Sequence, residues 1–224
     1  GEFIIRDTAP EDIFTPEEWT EEHKMIASMC EDFILQEIIP HLDRIDSLEE
    51  GLMPSLLKKA GELGLLGLSV PEEYGGMGVD FKTTLLATEY LGLGFSFSVA
   101  YGAHTGIGTL PLLYYGNDEQ KNKYVAKLAS GEWMGAYCLT EPGAGSDANS
   151  GKTTAELSED GKSYKINGQK MWISNAGFCN LMIVFARIEN DKNITGFIVE
   201  YDAANPNGVT LGEEEHKLGI RASS

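Results

Sequence analysis

Apolar residues recur at helical spacing through the first half of the chain. Thr15, Pro16 and Glu18 are typical of a helix start, with Thr15 as the N-cap and Glu18 completing a capping box. The apolar positions that follow share one helical face: Ile26, Met29, Cys30, Phe33 and Ile34. We therefore predict a helix that begins at Pro16 and kinks or ends near Pro40.

Further helices are predicted before residue 132, and each has its own start or stop residue. The segment 54–63 closes on Gly64, and Asp80 caps a helix that runs toward residue 93. The segment 95–115 is apolar on several faces, which indicates a buried helix, broken near Gly106 and Gly108. A last helix opens at residue 117 and ends at residue 131.

After residue 133 the pattern changes to short runs of β-type composition. The predicted strands are 134–139, 153–157, 164–166, 170–173, 181–187 and 195–200. Asn167 and Gly168 separate two of these strands and predict a type I′ hairpin turn. The helices and strands are segregated, which predicts an α+β protein with a helical domain, 1–132, followed by an all-β domain, 133–224.

The charge balance narrows the classes of partner. The 224 residues include 35 Asp or Glu and 17 Lys or Arg, which gives a formal net charge of −18. Nucleic-acid binding needs a basic surface, so no nucleic-acid partner is expected. The same charge disfavours anionic membrane surfaces, and no apolar run approaches the roughly 20 residues of a membrane span. We expect a soluble protein.

Glycine, cysteine and histidine usage adds three expectations. Glycine contributes 26 residues without a collagen period, so we expect glycines at turns and at close backbone approaches. Cys30, Cys138 and Cys179 are odd in number and widely spaced, which fits neither a disulfide framework nor a zinc site and indicates a reducing compartment. The histidines also lack ligand spacing, so no metal site is predicted: His23, His41, His104 and His216.

Two short stretches carry candidate chemistry. The first, residues 137–147, reads YCLTEPGAGSD and follows a predicted strand. Its glycines, hydroxyls and backbone N–H groups could approach a phosphate or a planar ring. The third glycine of a dinucleotide-binding fingerprint and the GK[ST] ending of a P-loop are both missing. Composition alone leaves an ordinary tight loop as an equal interpretation.

The second stretch, residues 167–175, reads NGQKMWISN. Trp172 and Ser174 are two positions apart on a predicted strand, so they would face the same side and offer an aromatic plane beside a hydroxyl. A tryptophan half-buried in a barrel core, with a serine on the surface, is the alternative that this stretch favours in isolation.

In this order and at this separation, the two stretches resemble the acyl-CoA dehydrogenase family. The resemblance runs unbroken from Cys138 to Ser150 and continues through INGQKMWIS at 166–174. It extends into the helical part through LGLLGLSVPEEYGGMG at 63–78 and GNDEQKNKYVAKLASG at 116–131. It therefore covers nearly the whole chain.

The resemblance implies a fold and a cofactor. Family members have a helical N-terminal domain, a β-barrel middle domain and a C-terminal four-helix domain, and they bind FAD between the last two. The four-helix domain is expected to be absent from this chain. By position, Tyr137, Leu139 and Thr140 would line the isoalloxazine ring of the flavin.

The same resemblance assigns the remaining cofactor-binding residues. Gly145 and Ser146 would contact the FAD phosphates, and Ser146 would also lie near the CoA portion of the substrate. Trp172 would cover the flavin ring, with Ile173 in the same binding set. Ser174 would hydrogen-bond flavin N5, where a donor makes the flavin a better electron acceptor.

The reaction implied is α,β-dehydrogenation of an acyl-CoA thioester to trans-2-enoyl-CoA, in fatty-acid β-oxidation or related catabolism. A carboxylate removes the α-proton, which donors to the thioester carbonyl acidify, while the β-hydrogen leaves as hydride to flavin N5. The family further implies an electron-transferring flavoprotein as acceptor and a homotetramer of the full-length protein. The location implied by the resemblance is the bacterial cytoplasm or the mitochondrial matrix.

The family's catalytic glutamate belongs to the C-terminal domain, so no catalytic base is assigned in this chain. Glu141 is expected to be structural, and the chain alone is expected to lack dehydrogenase activity and to hold FAD weakly or not at all. An acyl-CoA oxidase and a dehydrogenase-like scaffold or assembly protein are the alternatives. Gly102, Ala103 and Gly106 either leave room for a medium or long acyl tail or serve helix packing.

Overall fold

The computed structural model describes residues 2–189 and 191–223, and its first part is helical. The α-helices are α1 Glu2–Ile5, α2 Glu21–Phe33, α3 Leu42–Asp46, α4 Leu52–Glu62, α5 Phe81–Leu91, α6 Ser96–Gly102, α7 Leu110–Tyr115 and α8 Asp118–Ser130. Two π-helical turns occur, at Ile34–Ile38 and Ala103–Gly108. Short 3-10 turns lie at Pro10–Asp12, Pro16–Glu18, Ile39–His41, Leu65–Gly67, Glu72–Tyr74, Gly92–Gly94 and Ala148–Ser150.

The first long helix begins later than predicted. The capping box forms, because the Thr15 N–H donates to the Glu18 carboxylate at 2.7 Å. It closes only the 3-10 turn Pro16–Glu18, since Trp19 leaves helical geometry with a ψ of 120°. Thr20 then caps α2 through its hydroxyl. The chain therefore uses two caps in succession where the sequence pattern suggested one.

The other helix predictions are confirmed. α2 gives way to the π turn Ile34–Ile38 and then to the 3-10 turn Ile39–His41, because Pro40 lacks an N–H and its ring interrupts a regular α-helix. Asp80 caps α5 through its carboxylate, and α8 ends at Gly131, where φ is 74°. The π turn Ala103–Gly108 separates α6 from α7 at the glycines expected to break this apolar stretch. None of the described helices is long and apolar enough to cross a membrane.

The second part of the chain forms a mixed five-stranded sheet. Its strands are β1 Gly135–Cys138, β2 Thr154–Leu157, β3 Tyr164–Asn167, β4 Leu181–Ile188 and β5 Thr195–Glu200. β4 pairs antiparallel with β5 and parallel with both β1 and β2, and β3 pairs antiparallel with β2.

The predicted barrel is not confirmed. Among the described residues no ladder joins β3 to β5, so the sheet is open. The sheet nevertheless curls, as the rings of Tyr164 on β3 and Phe197 on β5 show: their centroids are 5.1 Å apart although the two strands do not pair. The α+β class stands, with helices and a mixed sheet segregated along the chain.

The strand predicted at 170–173 and its hairpin turn at Asn167 and Gly168 are wrong. β3 joins β2 through a different turn, at Gly161, where φ is 68°. Gly168 instead packs against Thr153, whose side chain a Cβ at this position would overlap. Close approach of two segments, and not a turn, therefore requires glycine at residue 168.

An apolar core joins the helices to the sheet. Its larger cluster contains Phe97 of α6 together with Ala136 of β1 and Met182 of β4. A second cluster packs Leu128 of α8 against Ile183 of β4. Burial of these side chains stabilises the contact between the helical and sheet parts, where β1 packs against the π turn Ala103–Gly108.

Candidate functional site

The two stretches singled out from the sequence meet just beyond the end of β1. The Met171 N–H donates to the Thr140 carbonyl at 2.9 Å. The Lys170 ammonium donates to the Leu139 carbonyl at 3.1 Å and to the Glu141 carboxylate at 2.6 Å. These contacts hold residues 170–171 against residues 139–141, and we call this arrangement the loop junction.

The Glu141 carboxylate ties a third segment to the loop junction. It accepts hydrogen bonds from the Lys152 N–H at 2.6 Å and the Thr153 N–H at 3.1 Å, in addition to Lys170. Burial raises the pKa of Glu141, but the donors from Lys170, Thr153 and Lys152 outweigh burial and lower this pKa to about 2. The group is therefore ionised and a weak proton acceptor at neutral pH.

Five of the predicted cofactor-binding residues follow one another along β1 and the loop after it. Tyr137 lies on β1 and is half-buried, as are Leu139 and Thr140 directly beyond the strand. Gly145 and Ser146 lie further along the same loop and are exposed. The structure therefore places these residues on one continuous edge.

Trp172 and Ser174 do not share a strand face as predicted. Trp172 has a φ of 58° and Asn175 a φ of 67°, so the backbone enters the left-handed region twice within four residues. The Trp172 side chain is 71% exposed, while Ile173 packs against the core and Ser174 is half-buried. An exposed indole next to an anchored residue is available to a ligand.

Hydrogen-bonding groups in the two stretches that meet at the loop junction are left unpaired. Within residues 2–189 and 191–223, the hydroxyls of Thr140, Ser146 and Ser174 make no hydrogen bond, and neither does the Thr140 N–H. A Cβ at Gly143 or Gly145 would meet nothing within 4 Å, and neither glycine has a positive φ. The loop thus has an open face with free donors, which fits a group that carries an aromatic ring and phosphates.

Two buried polar residues beneath the site were not recognised as such from the sequence. Asn175 is fully buried, and its Nδ2 donates to the Ala100 carbonyl at 2.9 Å and the Gly135 carbonyl at 3.3 Å. His104 is fully buried, and its ring bonds the Gly135 N–H and the Leu128 carbonyl. A polar residue inside a stretch predicted to be buried was the sequence pattern that could have identified His104.

The described residues contain no group of three or more His, Cys, Asp or Glu side chains that could hold a metal ion. The cysteines are free thiols and all three are buried.

Comparison with known proteins decides the family. Residues 20–132 match the acyl-CoA dehydrogenase N-terminal domain, and residues 136–224 match the acyl-CoA dehydrogenase middle domain. The chain belongs to the acyl-CoA dehydrogenase family. The predicted resemblance is confirmed in both of its parts.

Individual acyl-CoA dehydrogenases show how much of a family member the chain represents. It is 50% identical over 224 residues to a probable acyl-CoA dehydrogenase of Bacillus subtilis, covering 100% of this chain and 37% of that protein. It is 39% identical over 217 residues to the human mitochondrial short-chain specific acyl-CoA dehydrogenase, covering 95% and 51%. A Bacillus anthracis acyl-CoA dehydrogenase complexed with FAD matches with a TM-score of 0.94 at 47% identity, covering 100% and 38%. The chain therefore spans between 37% and 51% of these relatives.

Proposed function

We propose that this chain forms the flavin-facing part of a FAD-dependent acyl-CoA dehydrogenase, which converts acyl-CoA thioesters to trans-2-enoyl-CoA. Residues 1–132 and 133–224 would be its helical and middle domains. The observation that carries the proposal is the loop junction together with the residues that directly follow Met171: Thr140 and Ser174 keep unpaired donors, and the Trp172 indole is exposed. Family membership and the FAD complex of the Bacillus anthracis relative support it.

In this proposal the residues around the loop junction bind the isoalloxazine ring. Tyr137, Leu139 and Thr140 would line it, with the Thr140 N–H and hydroxyl as donors. Trp172 would cover the ring with its indole and exclude water from it, which strengthens hydrogen bonds at the site. Ser174 would donate its hydroxyl to flavin N5.

The remaining binding residues would hold the outer parts of the cofactor. Gly145 and Ser146 lie in the exposed part of the loop, where missing side chains and a free hydroxyl would let phosphates approach the backbone. Ser146 would also lie near the CoA portion of the substrate. Ile173 packs on the core and would keep the neighbouring indole in place. When bound, FAD supplies the acceptor for the electrons that leave the substrate.

We further propose that this chain does not supply the base that removes the α-proton. Glu141 is the buried carboxylate of residues 137–147, but its oxygens accept from Lys152, Thr153 and Lys170, and its pKa of about 2 makes it a weak base. The chain alone is expected to lack turnover and to hold FAD weakly. A base from the part of the relatives beyond the matched region would complete the site.

The wider setting of the proposed enzyme follows the relatives. An electron-transferring flavoprotein would accept its electrons, and the complete protein would be a homo-oligomer. Its location would be the bacterial cytoplasm or the mitochondrial matrix, in keeping with bacterial and mitochondrial relatives.

A chimera tests the proposed function. The part of the Bacillus subtilis relative that follows the region matched by this chain is joined behind Ser224, and the resulting chimera is loaded with FAD. Butyryl-, octanoyl- or palmitoyl-CoA is then expected to reduce ferrocenium, whereas the chain by itself is expected to give no turnover. Trp172→Ala and Ser174→Ala should lower the rate, and Trp19→Phe, a matched change in the helical part, should not.

The same assay separates the rival activities. Thioester-dependent oxygen consumption without ferrocenium would assign the protein to the oxidases. A chimera that holds FAD but oxidises none of the three thioesters would contradict the dehydrogenase proposal. Turnover by the chain alone would overturn the statement that it lacks the base.

A further inference from the structure

Lys170 holds an unusual position at the loop junction. Its side chain is only 12% exposed, next to the Glu141 side chain, which is 7% exposed. Its ammonium donates both to that carboxylate at 2.6 Å and to the Leu139 carbonyl at 3.1 Å. A largely buried cation is therefore bound to the carbonyl of the peptide between Leu139 and Thr140.

The other end of the same peptide is the Thr140 N–H, which has no acceptor within the described part of the chain. The next carbonyl, that of Thr140 itself, accepts from the Met171 N–H at 2.9 Å. Both carbonyls that flank this N–H are thus fixed by residues of the second stretch, and of these three backbone groups the N–H is the one left for a ligand.

A charged donor on a peptide carbonyl changes the whole peptide. It draws electron density toward the oxygen, so the N–H at the other end becomes a stronger donor, and burial increases the effect. Glu141 is needed for this arrangement, because an ammonium without a counter-charge would be costly to bury here.

We propose that Lys170 is a positioning residue that sets the orientation and the donor strength of the Thr140 N–H toward an electron-rich atom of the flavin. Glu141 holds Lys170 in place, and the Met171 hydrogen bond transmits the position of Lys170 to Trp172. The inference rests on the proposed function only for the identity of the ligand. The polarised peptide is a property of the chain itself.

Lys152 offers a matched control. It borders the same carboxylate, but only its backbone N–H contacts Glu141, and its side chain is exposed. Lys152→Met therefore removes a nearby positive charge without removing a side-chain hydrogen bond. Lys170→Arg keeps the charge, and Lys170→Gln keeps an N–H donor without the charge.

The first measurement needs no cofactor. In the 15N–1H spectrum of the chain, Lys170→Met is expected to move the Thr140 amide proton upfield, and Lys170→Gln should move it less. Lys170→Arg and Lys152→Met should leave it close to its original position. Equal shifts for Lys170→Met and Lys152→Met would overturn the inference. Should Lys170→Met fail to fold, the Lys170→Gln spectrum decides in the same way.

The second measurement uses the FAD-loaded chimera. Lys170→Met is expected to raise the dissociation constant for FAD about tenfold, because it removes one charge-assisted contact. Lys152→Met removes no such contact and should raise this constant by less than about twofold. Lys170→Arg should restore most of the affinity. An unchanged FAD affinity in Lys170→Met would overturn the inference and leave the dehydrogenase proposal intact. A chimera that binds no FAD would contradict the proposed function, and the Thr140 amide shift would still decide the role of Lys170.

Discussion

Gly135 and His104 are joined by a hydrogen bond of 2.9 Å, in which the Gly135 N–H donates to His104 Nδ1. The ring nitrogen Nε2 donates to the Leu128 carbonyl, also at 2.9 Å, so the imidazole is neutral and links β1 to α8. Asn175 Nδ2 donates to the carbonyl of the same glycine at 3.3 Å. Both backbone groups of Gly135 are thus bound by buried side chains.

His104 predicts that the chain loses stability on mild acidification. Burial lowers the pKa of His104 to about 4, whereas an imidazole in the unfolded chain takes up a proton near pH 6.5. Between these values the unfolded state binds more protons, so stability present above about pH 6.5 is lost as the pH falls toward about 4. Urea unfolding should give a His104 contribution about 2 kcal/mol smaller at pH 5 than at pH 7.5.

Two variants isolate that contribution. His104→Gln keeps a donor and an acceptor but cannot titrate, so its stability should depend less on pH across this range. His216→Gln changes an exposed histidine and should keep the full dependence. Equal pH dependence in the two variants would show that His104 is not the titrating group.

The helices could be predicted because their ends are determined locally. The side chains of Asp80 and Asn117 each accept from a backbone N–H three residues further along the chain, and such caps can be recognised from the sequence. The prediction of a turn at Gly168 was wrong because glycine serves two different purposes in proteins. Glycine permits a tight turn and also permits close approach, and only tertiary structure shows that Thr153 occupies the space beside residue 168.

The candidate site was likewise predictable from the sequence only in part. The loop at residues 137–147 and the stretch around Trp172 were found because their residues are consecutive and resemble a family. The contact that joins them, between Lys170 and Glu141, links residues far apart in sequence, and so does the contact between His104 and Gly135 beneath the site. Neither helical nor strand periodicity indicates such pairs, since each depends on how the sheet packs on the helices.

Glu141→Ala is expected to destabilise the chain by about 3 kcal/mol, because it leaves the Lys170 ammonium buried without its partner and two N–H groups unsatisfied. Glu156→Ala, at an exposed position on β2, is the control and should change stability by less than about 0.5 kcal/mol. Urea denaturation at neutral pH measures both. The double variant Glu141→Ala with Lys170→Met should recover part of the loss, and a loss that is fully additive would contradict the pairing.

Trp172 is expected to be the most quenchable tryptophan of the chain, because its side chain is 71% exposed. Trp19 packs against Phe14, and Trp133 against Tyr124. Acrylamide should therefore quench the tryptophan fluorescence of the native chain strongly and that of Trp172→Phe weakly. The substitution should change the free energy of unfolding by less than about 0.5 kcal/mol. Undiminished quenching in Trp172→Phe would contradict the exposed position of this indole.

Two glycines in helices are expected to respond oppositely to alanine. A Cβ at Gly61 would overlap the Ser130 carbonyl, so Gly61→Ala should destabilise the chain by about 2 kcal/mol. A Cβ at Gly102 would meet nothing within 4 Å, so Gly102→Ala should stabilise α6 by about 0.5 kcal/mol. Thermal unfolding of both variants measures the difference. A destabilised Gly102→Ala variant would contradict the open space at this position and show that packing requires glycine there.

Gly106 gives the prediction that bears on substrate size. Like Gly102, it has open space where a Cβ would stand, and its φ is not positive, so neither packing nor backbone conformation within the described chain requires glycine there. For Gly102 and Gly106 the open space favours the interpretation that they leave room for an acyl tail. In the chimera, Gly106→Leu is expected to lower kcat/KM for octanoyl-CoA more than for butyryl-CoA, because added volume obstructs only the longer tail. Gly92→Leu, which also enters open space, serves as the control and should leave the ratio unchanged. An equal loss on both thioesters would mean that residue 106 affects the fold and does not border the tail.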